Sequence, residues 1–434
     1  MTMNNTSHHA TSFFHLTWRK LLDYLIFAAL LILASFPLSR LPFWGGARGL
    51  NAEAPLQIII AVFLIARLLV RKPSGSGVPL FIFSVMFLVY SLFSVIFLGL
   101  SLSTVLGHAQ LFFPFFVACL FLWTGFSVEP DRLLYGLALA IGVSALVSLY
   151  IFYFAPQLLL FAYSDQQEQY TALLNWGRNF WRGGGVVYFS WMAVMLYRGR
   201  SRGFNVLLIL SLIAAVLGLI STFSRTHIIA LIFFVLAGLV IINPRLLKRV
   251  GLRFVVIAVA LWMVGSVYFS IDAKVPQLFE SRVIGALTQG TKSLSDADVS
   301  LRQNRYEQYW ERFIAHPILG QGLGAPYEIY PTISYYSDVT LVSFILPFGM
   351  IGLFCFGSFI YTMWKMLARV KQVDFRNISR TTILLIFTAF LVALNDNIFA
   401  YKPFIIYLAA LIASIAWHDK IYRKNLFCEK AKGH

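Results

Sequence analysis

The segment SLRQNRYEQYWERFIAHPILGQGLG, residues 300–324, gathers arginines, aromatics and a glycine turn into one short stretch. With helical spacing, Arg302, Arg305, Tyr309, Arg312 and His316 fall on one side, and Tyr306, Trp310, Phe313 and Ile314 on the other. Guanidinium forks pair bidentately with phosphate oxygens, while aromatic faces suit sugar rings. Tyr309, Trp310, His316 and, further on, Tyr336 are candidate sugar or acceptor contacts. Ser300 followed by Gln303 is a capping-box pattern, and Pro317 ends the helix. Gly320, Gly322 and Gly324 then permit a tight turn with close backbone approach. This G-x-G-x-G follows no strand and lacks the Lys-Ser/Thr ending of a P-loop, which argues against a nucleotide cradle. The blander alternative is an amphipathic helix lying in a membrane interface because its apolar face seeks lipid.

Other polar groups sit where an apolar chain makes them costly. Arg225 lies in STFSRTHIIALIFF, among Ser221, Thr222, Ser224, Thr226 and His227. A guanidinium at a membrane edge is a functional candidate unless it only snorkels from a helix end. Asp338, in SYYSDVTLVSFILPFGMIGL, is a carboxylate at the start of an apolar run, where the helix dipole favours its charged form and an N-cap role competes. Asp396 in LNDNIF reads as a hairpin turn, and Arg178 and Arg182 add positive charge to a polar stretch at 156–183. His227 has no second His, Cys or carboxylate at useful spacing, and Cys119, Cys355 and Cys428 form neither a metal motif nor a disulfide framework. No metal and no cofactor are expected.

The elements that position these residues are membrane spans. Hydrophobic residues make up 59% of the 434-residue chain and charged residues 12%, which excludes a set of soluble domains. Apolar runs long enough to cross roughly 30 Å of hydrocarbon recur from Leu21 to Trp417. Reading them against charged breaks gives about twelve spans. They lie near 21–39, 54–70, 79–98, 104–124, 133–155, 184–197, 204–222, 226–242, 254–270, 337–363, 381–397 and 399–417. The fold expected is therefore all-α and polytopic. A cytoplasmic segment 1–20 leads into spans one to nine over 21–270, with the first kept as a signal anchor. An outer loop over 271–336 holds the amphipathic helix, spans ten to twelve fill 337–417, and a cytoplasmic tail runs 418–434. A loop of that length is expected to contain helices.

The net charge of +17 suggests nucleic acid until its distribution is considered. With the amino terminus inside, Arg67, Arg71 and Lys72, the RGRSR run at 198–202, NPRLLKRVGLR at 243–253, the 365–380 connection and the tail all fall on the cytoplasmic side. The long loop on the opposite side carries nearly balanced acids and bases. This is the positive-inside pattern. Membrane lipids, with anionic headgroups adding to the attraction, are the expected partners, and nucleic acid is not.

With those residues in view, the chain resembles the O-antigen ligase and polymerase superfamily of bacterial integral membrane proteins. Three local motifs carry the likeness. The first is S-x-x-x-R, Ser221 to Arg225 with its tighter Ser224-Arg225 form. The second is an arginine-bearing segment followed by Trp310, His316-Pro317, Gly320, Gly322 and Gly324. The third is Ser337-Asp338 opening a helix that runs to Gly349, Gly352 and Leu353. The resemblance implies a C-type membrane glycosyltransferase fold, metal-independent chemistry and a periplasmic active site at the bacterial inner membrane. It implies an undecaprenyl-diphosphate-linked oligosaccharide donor, an acceptor glycan-lipid and, for polymerases, a chain-length regulator. The family's span arginine falls on Arg225 and its loop arginine on Arg305, with Arg302 the alternative. Ligase-like members commonly place His-Asn eleven residues before the glycine corresponding to Gly349, whereas this chain has Asp338-Val339. The change favours a polymerase with Asp338 as general base. A ligase, a polysaccharide flippase or anion transporter, and a noncatalytic assembly partner are the alternatives.

The orientation has a direct check. Alkaline phosphatase fused after residue 290 is expected to be active and green fluorescent protein fused at the carboxyl end to fluoresce, whereas the reverse pattern would invert the topology.

Overall fold

A computed structural model describes residues 6–35, 53–70, 72–109, 112–157, 181, 185–197, 201–222, 224–241, 259, 307–323, 340–393 and 402–432. The described helices are α1 (Thr6–Ser35), α2 (Glu53–Val70), α3 (Val78–Ile96), α4 (Leu102–Ala109), α5 (Phe113–Thr124) and α6 (Pro130–Phe154). They continue as α7 (Val187–Leu196), α8 (Arg202–Ser221), α9 (Arg225–Ile241), α10 (Thr340–Ala368), α11 (Val373–Ala393) and α12 (Lys402–Lys432). A shorter helical segment covers 307–315, and no strand occurs among the described residues.

Six helices are long and apolar enough to cross a membrane: Val78–Ile96, Pro130–Phe154, Arg202–Ser221, Phe344–Ala368, Val373–Ala393 and Pro403–Cys428. Shorter apolar helices cover Ala54–Val70, Phe113–Thr124, Val187–Leu196 and Thr226–Ile241. The described residues thus form the helical bundle of a multi-pass membrane protein. The span expected at 254–270 and most of the loop at 271–336 lie outside the described residues. The run expected as one span at 104–124 contains two helices, α4 and α5. Pro114 sits in the first turn of α5, where its missing N–H costs nothing and its ring favours a helix start over continuation.

At the centre lie α7 and the first half of α12. All ten residues of α7 are buried, and Phe404 through Ile415 are almost wholly enclosed. The periphery shows the opposite pattern: Phe81, Leu88 and Ile96 of α3 are exposed, as are Val206, Leu207 and Leu210 of α8. These are faces suited to lipid. Helices pack tightly where side chains are small, and at Gly142 of α6 an added Cβ would lie 2.6 Å from Ser211 Cβ of α8.

One end of the bundle is tied by a buried ion pair. Arg67 Nε of α2 lies 2.9 Å from Asp23 Oδ1 of α1, and both side chains are enclosed. Ser127, in the α5–α6 connection, donates to the same carboxylate. Arg67, one of the basic residues that the charge pattern assigns to the cytoplasmic side, is only 1% exposed.

Breaking a buried pair from one side strands the other charge, at a cost of about 3–5 kcal/mol. Asp23→Ala is therefore expected to lower the melting temperature of the detergent-purified protein substantially. The double variant Asp23→Leu/Arg67→Met should recover most of the loss, and equal melting of Asp23→Ala and wild type would show the pair to be inert.

Candidate active site

The geometry of this region begins with a break inside α10. Pro347 lies within the helix and Gly349 adopts φ 57°, ψ −144°, a conformation open in practice only to glycine. The helical ladder is interrupted there, so carbonyls that would bond one turn ahead need other donors. Hydrocarbon supplies none. The HP-x-x-G-x-G turn supplies them instead. Gln321 N–H donates to Leu346 O at 2.8 Å and Gly322 N–H to Pro347 O at 3.0 Å. In the other direction, Met350 N–H donates to Pro317 O at 2.9 Å.

Two residues of α3 complete the joint. Tyr90 Oη donates to Phe348 O at 3.2 Å, and Leu323 N–H donates to Ser94 Oγ at 2.8 Å. Sequence reading missed both. Their signal was a tyrosine and a serine four residues apart, hence on one face, within an otherwise apolar span. Beneath the joint, Phe348 meets Tyr90 edge-on with ring centroids 5.0 Å apart, and Phe344 meets Phe112 at 5.2 Å.

Of the glycines expected to shape a turn, Gly320 lets two backbones touch. Gly320 has φ 69°, and a Cβ there would lie 2.5 Å from Gly349 N, Phe348 N and Pro347 C. A Cβ at Gly349 would lie 2.4 Å from Ile318 O. Gly322, at φ 88°, faces Ser94 of α3 and Leu98 just beyond that helix. Gly324 lies outside the described residues.

The helical segment 307–315 leads into this joint. His316 N–H donates to Phe313 O at 3.1 Å and Gly320 N–H to His316 O at 2.9 Å, which closes the helix onto the turn. Tyr309 and Arg312, from the row expected to be cationic, are buried, whereas Trp310 and Ile314 on the apolar side are more than half exposed. His316 and Pro317 are exposed. Tyr309 and Arg312 thus turn into the protein, while the exposed face mixes Trp310 and Ile314 with Glu307, Glu311 and His316. Arg302, Arg305, Tyr336 and Asp338 lie outside the described residues.

Arg225 is the first residue of α9, and the preceding turn is built from hydroxyls. Ser221 Oγ donates to Gly218 O and Thr222 Oγ1 to Leu219 O, each at 2.7 Å, so both hydroxyls satisfy carbonyls at the end of α8. Ser224 N–H bonds Thr222 Oγ1 at 3.3 Å, and Ser224 O accepts from Ile228 N–H at 3.0 Å. His227, in the first turn of α9, is buried. Nearby, Trp181 is inserted beside Gly218 of α8 and donates Nε1–H to Ser144 Oγ of α6 at 3.1 Å, which ties that residue to both helices. Arg178 and Arg182 lie outside the described residues. Among the described residues no cluster of three His, Cys, Asp or Glu side chains comes together to hold a metal.

Residues 187–357 match a family model described as O-antigen ligase. That stretch runs from α7 into α10 and contains Arg225, the 300–324 segment, Asp338 and the Gly349 break. No curated protein matches the chain.

Alanine at Gly320 or Gly349 combines a disfavoured φ with backbone overlap, and each is expected to cost more than about 1 kcal/mol of stability. Gly357→Ala on the same helix meets no atom within 4 Å and serves as the control. If all three variants melted together with wild type, the joint would not exist as described.

Proposed function

We propose that the protein belongs to the O-antigen ligase and polymerase superfamily and polymerises undecaprenyl-diphosphate-linked oligosaccharide repeat units of an O-antigen, capsule or exopolysaccharide. The observation that carries this proposal is the single family match over 187–357, which takes in Arg225, Arg305 and Asp338 together. The reaction is an inverting transfer at the periplasmic face of the inner membrane. An acceptor hydroxyl oxygen attacks the anomeric carbon of the donor. The bond from that carbon to the diphosphate oxygen breaks, and its electron pair leaves on undecaprenyl diphosphate.

Arg225 and Arg305 bind the diphosphate, with Arg302 the alternative to Arg305, and oppose the charge that grows on the leaving group. Asp338 takes the acceptor's hydroxyl proton as general base. Tyr309, Trp310, His316 and Tyr336 are assigned to the glycan. Of these, the exposed Trp310 and His316 are the more accessible to a sugar, while buried Tyr309 suits a positioning role. The Asp338-Val339 pair, standing where ligases commonly carry His-Asn, favours transfer onto a second lipid-linked repeat. Ligation onto lipid A-core is the second possibility, because the matched family is described as O-antigen ligase.

Purified protein in lipid nanodiscs, given an undecaprenyl-diphosphate oligosaccharide, is expected to yield a ladder of longer glycans. Arg225→Ala and Arg305→Ala should each lower turnover at least about a hundredfold, and Asp338→Asn by a comparable factor, with melting unchanged. Arginine variants as active as wild type would remove the site, and product formed only when lipid A-core is added would replace polymerase by ligase.

A further inference from the structure

The helices α3 and α10 both run from the glycine joint to the opposite end of the bundle, where a cleft of about 610 Å³ opens between the 73–77 turn, the end of α10 and α12. Four cations line it, Lys365, Arg369, Lys420 and Arg423, against one carboxylate, Asp419. That carboxylate is already engaged. It accepts the backbone N–H groups of Lys371 and Gln372 at 2.8 Å each and Arg423 Nε–H at 2.7 Å, and it is 2% exposed. Lys420 Nζ reaches only the Ser74 carbonyl, at 3.4 Å, and Lys365 Nζ stands 5.5 Å from the centroid of the Tyr361 ring. Lys365, Arg369 and Lys420 thus have no carboxylate partner among the described residues.

The wall of the cleft continues along the bundle as apolar surface. Val78, at the mouth, is exposed, as is Phe81 almost one turn further along α3, and Tyr361 is exposed on α10. A cationic rim above an apolar wall matches a molecule with an anionic head and hydrocarbon tails. Free phosphate would use the rim and leave the wall bare. Basic pockets between membrane helices have the chemistry to hold phosphate headgroups.

We propose that this cleft binds the phosphate headgroup of an acidic phospholipid. The site lies at the far end of α3 and α10 from the joint, and it rests only on the bundle crossing a membrane, whatever glycan the protein handles. Its partial ion pairs have a physical purpose on this view. Arg423 is held by Asp419 and braces the α10–α11 connection, while Lys365, Arg369 and Lys420 remain available for the ligand.

Native mass spectrometry of the full chain, with phosphatidylglycerol or phosphatidylcholine added, tests the site. Phosphatidylglycerol is expected to be retained in preference, and Arg369→Gln/Lys420→Gln should weaken its retention at least about tenfold. Arg376→Gln/Arg380→Gln removes the same charge from α11 and should leave retention unchanged. Should the first double variant melt early, Lys365→Gln replaces it, with an expected loss of about fivefold. Equal retention by both double variants, or by Lys365→Gln and wild type, would overturn the site. Displacement of the lipid by millimolar inorganic phosphate would also overturn it and give the rim to soluble phosphate.

Discussion

A carbonyl freed inside a membrane helix must find a donor in the protein, because hydrocarbon has none to offer. Pro347 and Gly349 free such carbonyls in α10, and the turn over 316–323, with Tyr90, satisfies them through Gln321, Gly322 and the tyrosine hydroxyl. The exchange is reciprocal, since Pro317 accepts from Met350. The break therefore costs little where it stands, but only while the turn is docked. The helix is discontinuous so that a loop segment can join it, and the loop segment is ordered because the helix is discontinuous.

That constraint propagates to the candidate site. Docking the turn sets where the 307–315 helix ends and which side faces inward, burying Tyr309 and Arg312. It also ties the end of the loop to a span that begins at Thr340, two residues after Asp338 in sequence. Arg225 is positioned by a separate device, the hydroxyl-built turn between α8 and α9. Two anchors of different chemistry thus serve one family-matched stretch. At the other end of the bundle, the Asp23–Arg67 pair ties α1 to α2, and the Asp419 contacts tie α12 to the α10–α11 connection. The two ends also differ in how they use charge. At the Asp419 end carboxylates bind cations and backbone N–H groups, whereas the glycine joint is made of neutral backbone and hydroxyl groups.

Hydrophobic run length made much of the fold legible. The spans expected at 133–155, 204–222 and 381–397 correspond to α6, α8 and α11, because each is a long apolar run with clear polar breaks. The pairing of Gly320 with Gly349 was not legible. Each glycine announced a close approach, but periodicity carries no information about which distant backbone approaches. The same holds for Asp23 and Arg67: either looks like an edge charge alone, and only packing makes them a buried pair. The division of α4 from α5 was visible in Pro114, but the surrounding apolar run masked it. Periodicity left the role of Arg225 open, since one arginine in a hydroxyl-rich turn has several physical explanations.

Hydrogen exchange on the protein in nanodiscs tests the central constraint most directly. The amides of Gln321, Gly322, Leu323 and Met350 all donate within the joint. They are expected to exchange as slowly as amides in the middle of α10 and to lose protection together when Gly349 is replaced by alanine. Rapid exchange of Gln321, Gly322 and Leu323 in the wild-type protein, at the rate of a solvated loop, would contradict a broken span held by its turn.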